Sequence, residues 1–163
     1  MTPAPLLLFA IAVTLVATIT DLRARIIPNW LTLLTAVVGL VANPILYGPQ
    51  ALIWALLMAA FAAVVFLPVY RMGGIGGGDA KLAIALGCVY ADFETMARFL
   101  LFTTVSAAIF ALMLAYKRGA LKASMRRLFS RTAREQTAPI TIAYAPAFLF
   151  GAVAIALIPL LLR

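Results

Sequence analysis

The chain has 163 residues, 66% of them hydrophobic and 11% charged, with a mean hydropathy of +1.11 and a formal net charge of +8. That balance excludes an ordinary soluble domain and predicts an integral membrane protein with room for about six spans of roughly 20 residues. Histidine is absent and Cys88 is the single cysteine, which excludes His-based nucleophilic triads, disulfide frameworks and Cys-x-x-Cys metal sites.

Apolar runs fall at about 5–20, 30–47, 51–70, 80–91, 96–116 and 139–162, divided by short breaks of Pro, Gly, Asn or charge. They are continuous and rich in Leu and Ala rather than alternating, which predicts helices and not a β-barrel. The expected fold is an all-α integral membrane protein, a bundle of six transmembrane helices forming one polytopic domain over residues 1–163. The first run has no positive residue ahead of it and reads as a retained span, not a cleaved signal. Cys88, inside the fourth run, reads as a small buried hydrophobe.

Lys and Arg collect in the cytoplasmic loops of membrane proteins. Arg23 and Arg25 lie in the first connection, Arg71 and Lys81 in the third, and Lys117, Arg118, Lys122, Arg126, Arg127, Arg131 and Arg134 in the fifth. Eleven of the thirteen basic residues therefore share one side, leaving Arg98 and Arg163 on the other. Both termini are expected to face away from the cytoplasm. In the fifth connection Leu121, Met125, Leu128 and Phe129 recur at i, i+4, i+7 and i+8 among basic residues, predicting an amphipathic helix on the anionic inner leaflet. Without interleaved stacking aromatics this charge points to membrane lipid as partner and not to nucleic acid.

Each of the five acidic residues needs a reason in so apolar a chain. Asp92 and Glu94 suit the short outer turn between spans four and five, and Glu135 sits among the basic residues of the fifth connection. Asp21 ends span one, where the helix dipole disfavours a negative charge; an interfacial pairing with Arg23 or Arg25 is the plain alternative to a functional role. Asp79 follows GGIGGG (73–78) and reads as the N-cap of the next helix. That helix, 80–91, would cover only about 18 Å of a roughly 30 Å hydrocarbon core. The glycine loop is therefore expected to dip into the membrane beside a wet cavity, which sets Asp79 opposite Asp21 on the cytoplasmic half.

Two facing carboxylates, without histidine or an acid-rich metal cluster, suit aspartic-protease chemistry, in which one member activates water and the other polarises the scissile carbonyl. The helix dipoles favour the charged form at Asp79 and the neutral form at Asp21, although such a pair titrates jointly. A small proton-coupled transporter with an Asp21–Asp79 relay is the competing reading, and it would be expected to carry paired broken helices. A metal-dependent lipid phosphotransferase would need more acidic ligands. GGIGGGDAK lacks the Gly-Lys-Ser/Thr of a phosphate-binding loop, so a nucleotide cofactor is not indicated.

GGGD (76–79) has the G-x-G-D form of intramembrane aspartic proteases, and TDLRARIIPNWLT (20–32) with GGIGGGDAKL (73–82) resembles the type IV prepilin peptidases over nearly the whole chain. The resemblance implies a leader peptidase with Asp21 and Asp79 as catalytic pair and no metal or cofactor. Gly76 and Gly78 match the motif glycines, which can take unusual dihedrals and give clearance to an extended substrate. Lys81 matches the basic residue after the second aspartate and reads first as a snorkelling anchor. Ile27, Pro28 and Asn29 match an Ile-Pro-Asn turn into span two, with Asn29 as a cap. In AYAPA (143–147) only Tyr144 and Pro146 match a family stretch, as a substrate-facing segment or as a kink in span six. The methyltransferase segment of long family members has no counterpart here, which is similar to the peptidases of Flp-type pili. The implied substrate is a prepilin or pseudopilin, cut on the cytoplasmic side of the inner membrane between a short basic leader and its hydrophobic N-terminal helix.

Overall fold

The computed structural model describes residues 3–117 and 144–161. Among them six α-helices follow one another without a strand: α1 Ala4–Ala24, α2 Asn29–Tyr47, α3 Gln50–Arg71, α4 Gly77–Val89, α5 Phe93–Lys117 and α6 Ala145–Leu161. The helices α1, α2 and α3 and the stretch Phe93–Met113 of α5 are long and apolar enough to cross a membrane. Outward side chains such as Leu33, Val64 and Leu112 are largely exposed, a surface suited to lipid and not to water. The architecture is that of a multi-pass membrane protein. The expected basic helix around 121–129, Glu135 and the start of the sixth run at 139 lie outside the described residues.

The short α4, 13 residues and about 20 Å long, packs between α2 and α3, while α6 packs between α1 and α5. The α4 residues Ala80, Leu82, Ala83, Leu86 and Val89 are all buried, because neighbours cover the helix on every side but that of Lys81 and Ile84. Phe148 of α6 joins the two groups, with its ring centroid 5.8 Å from Phe66 of α3 and 5.9 Å from Phe99 of α5.

Two glycines set how closely the neighbours approach α4. A Cβ on Gly39 of α2 would lie 2.6 Å from the Cys88 carbonyl, and one on Gly87 would lie 2.7 Å from the Met58 carbonyl oxygen of α3. Backbone meets backbone at both points, the small-residue contact that lets helices associate in lipid.

At the far end of α4, the Asn43 side-chain nitrogen donates to the carbonyls of Cys88 (2.9 Å), Val89 (3.2 Å) and Gly39 (2.9 Å). The last carbonyls of a helix have no partner of their own, and in hydrocarbon no water replaces one. Asn43→Leu is therefore expected to destabilise the bundle by about 1–2 kcal/mol, measured as a lower midpoint in denaturant titration of the detergent-solubilised protein.

The connection into α4 differs from expectation. The helix starts at Gly77, inside the glycine cluster, and not at residue 80. Within that cluster the left-handed backbone falls at Gly73 (φ 74°), while Gly76 is extended (φ −74°, ψ 154°) and Gly77 and Gly78 are helical. Asp79 is thus not the cap residue but the third residue of the helix, and its carboxylate reaches back to the Gly76 N–H at 3.1 Å. That reach explains how so glycine-rich a start holds: one orphan N–H is satisfied by a charge placed favourably at a helix N-terminus. On the opposite end of the bundle, the Asp92 carboxylate accepts from the Thr95 N–H at 2.9 Å and Glu94 pairs with Arg98, both as expected for the turn into α5.

Candidate active site

Asp21 lies in the last turns of α1, only 7% exposed. The helix ends at Arg25, whose left-handed backbone (φ 52°, ψ 35°) lets its N–H bond the Asp21 carbonyl at 2.8 Å. A non-glycine residue there costs about 1–2 kcal/mol; the Arg25 charge acts on the Asp21 carboxylate from this position. The side-chain partner of Asp21 is neither Arg23 nor Arg25. Its Oδ2 accepts from the backbone N–H of Ala145 at 3.4 Å, across 124 residues of sequence and inside the protein.

Asp79, 6% exposed, uses Oδ2 for the Gly76 N–H, while its Oδ1 is buried without a hydrogen-bond partner. Asp21 and Asp79 lie within electrostatic reach of each other, and the Asp79 charge is also felt at Tyr144. Among the described residues they are the two buried acids. The end of α1, the start of α4 and the start of α6 thus converge on one point. An unpartnered carboxylate oxygen beside a second buried carboxylate can bind a water and take its proton. No group of three or more His, Cys, Asp or Glu gathers among the described residues.

The motif residues around this point divide by what they touch. Ile27 is buried, and a Cβ on Gly78 would meet its Cβ at 3.0 Å; a Cβ on Gly76 would meet the Asp79 Oδ2 at 2.9 Å. Neither glycine has an unusual dihedral, so what their missing side chains permit is close approach: Gly78 admits Ile27, and Gly76 admits the returning carboxylate. Pro28 is the cap residue of α2, whose first helical residue is Asn29. Asn29 therefore does not cap; its Oδ1 accepts from the Lys81 Nζ at 3.1 Å on the exposed surface. Pro146 is the second residue of α6, where the missing N–H removes no helical bond, so it starts the helix and kinks nothing.

Lys81 and Asn29 sit at the mouth of a groove of about 410 Å³ between α2 and α4, lined by Leu33, Ala36, Ile84 and Ala85. Two residues along a helix turn the side chain by about 200°, which puts Lys81 on the face of α4 turned away from Asp79. Lys81→Met is accordingly expected to keep kcat within about fivefold, since exposed polar links are worth under about 1 kcal/mol; a steady-state assay checks it.

Sequence reasoning missed the Ala145 N–H at the site and, at the far end of α4, Asn43. The first is backbone and has no signature in residue type. The second had one, a lone amide inside an apolar run.

Residues 8–112, well over half of the chain, match the type IV leader peptidase family. The prepilin peptidase EppA of Methanocaldococcus jannaschii is 36% identical over 77 residues, which are 47% of this chain and 21% of that protein. The match thus spans about a fifth of the length of that relative. No solved structure matches the chain. A match over well more than half of its length shows that this chain belongs to the type IV leader peptidase family.

Proposed function

We propose that the protein is a membrane-embedded aspartic endopeptidase that removes the short basic leader from prepilins or pseudopilins, of the Flp type. The observation that carries this reading is the convergence of Asp21 and Asp79, two buried carboxylates within electrostatic reach, one with an unpartnered oxygen. Like charges so placed share one proton. The ionised carboxylate takes a proton from water as the water oxygen attacks the scissile carbonyl carbon, and the protonated carboxyl gives its proton to the carbonyl oxygen. The tetrahedral diol then collapses, the C–N bond breaks, and the leaving amine receives a proton from the pair.

The Asp79 Oδ1, having no other partner, is the atom assigned to the water. The chain crosses the inner membrane six times, with α4 and α6 completing the four long spans, and both termini lie away from the cytoplasm. The basic residues beside the ends of α1 and α3 support a cytoplasmic site. Leader removal then happens where the leader is, and anionic lipid holds the basic connection ahead of α6.

Incubation of the detergent-purified protein with a prepilin is expected to yield a shortened pilin, equally in the presence of chelator, and no product with Asp21→Asn. Cleavage that needs added metal, or that survives Asp21→Asn, overturns the proposal. Proton-coupled transport without cleavage would favour the relay reading instead.

A further inference from the structure

The start of α6 is the third element of the site, and its donor pattern is unusual. The first N–H groups of a helix have no partner within the helix. Here Pro146 has no N–H to offer, and the Ala147 N–H is turned back to the Tyr144 carbonyl at 2.9 Å, as is that of Phe148 at 3.2 Å. Among the residues of α6 itself, the Ala145 N–H is left to point outward, and it meets the Asp21 Oδ2. Tyr144, next to it in the chain, lies within electrostatic reach of Asp79. Buried backbone N–H groups are rarely left orphaned, so Asp21 and Ala145 need one another.

We propose that Ala145 is a positioning residue: its backbone N–H fixes the Asp21 carboxylate so that the oxygen it does not hold is presented to Asp79 and the reacting carbonyl. Pro146 is what makes this pairing single-valued, because it deletes the neighbouring donor that would otherwise compete for the same carboxylate. Ala145 and Pro146 therefore act through Asp21. This inference rests on Asp21 and Asp79 being the catalytic pair.

The test removes that one hydrogen. Ala145→Pro does so at a position where proline suits a helix start, and replacing Ala145 by lactic acid through nonsense suppression turns the amide into an ester without changing the side chain. Ala145→Gly keeps the N–H while weakening the helix. With a prepilin substrate, both N–H deletions are expected to lower kcat by about ten- to a hundredfold, the scale of a hydrogen bond to a charged group, with KM within about twofold. Ala145→Gly should keep kcat near wild type even where its melting temperature falls. If the ester variant retains wild-type kcat while Asp21→Asn is inactive, the positioning role is wrong and the dyad stands. Losses that follow melting temperature across all three variants also overturn it. If Asp21→Asn is active, the dyad itself fails.

Discussion

Asp79→Asn is expected to lower turnover by on the order of 10²–10⁴-fold or more, the range general acid–base groups supply, while leaving the protein folded. The physical reason is that two functions of this side chain separate. Its Oδ2 accepts a hydrogen bond from Gly76 and so completes the start of α4; an asparagine oxygen accepts the same bond. Its Oδ1 has no partner, and only a carboxylate can use such an atom to take a proton from water. Asp21→Asn likewise keeps an acceptor for the Ala145 N–H and loses the exchangeable proton. Because the proposed dyad acts as one unit, the double variant is expected to be no slower than the worse single one. Single-turnover cleavage, with melting temperature measured on the same samples, checks this. Losses that multiply in the double variant, or a single variant with wild-type rate, would show that the two carboxylates act independently or not at all.

Gly87→Ala should lower stability by about 1–3 kcal/mol for a single added methyl group. The new Cβ would sit 2.7 Å from the Met58 carbonyl oxygen and 2.8 Å from the Ala59 backbone nitrogen and Cα. Backbone atoms of a packed helix cannot step aside singly, so α3 and α4 must separate along their contact. Gly151 of α6 makes the contrast: its Cβ would meet the Thr103 hydroxyl first, a group that can rotate away. The Phe99 ring would lie at 3.3 Å, tighter than an ordinary contact, so this side chain has to give by a few tenths of an ångström, whereas at Gly87 it is backbone that must move. Unfolding titrations in detergent should therefore rank Gly87→Ala well below Gly151→Ala, and an equal cost would mean that helix separation is not the governing term. Since α4 carries Asp79, Gly87→Ala is also expected to reduce cleavage.

Much of the helical layout was legible because hydrophobic run length and helix length are tied by the width of a bilayer. The long runs became α1, α2, α3 and α5 with ends moved by a few residues. The prominence of Asp21 and Asp79 was legible for a related reason: a carboxylate is costly at that depth, so its presence is itself a signal. The start of the short fourth helix was less legible than its shortness. The helix starts within the glycines at Gly77, because the Asp79 side chain bonds back to the Gly76 N–H. The reach of a side chain over three residues is not visible in a hydropathy pattern.

Other assignments turned on atoms that pattern does not contain. Asn29 looked like a cap and is a surface partner of Lys81, since Pro28 already holds the cap position of α2. Pro146, read as a kink or a substrate contact, does not kink the helix, because it stands in its first turn. What the amino-acid sequence by itself determined is the membrane setting, the helical class and the two acids that had to be explained, all of them consequences of transfer energies that each residue carries on its own. What only the tertiary structure decided is that the ends of α1 and α4 meet the start of α6, with one backbone N–H turned onto Asp21 and one oxygen of Asp79 left without a partner. Those are properties of relative placement between distant segments, and for α4 the missing side chains of Gly39, Gly87 and Gly78 set how closely it meets α2, α3 and Ile27.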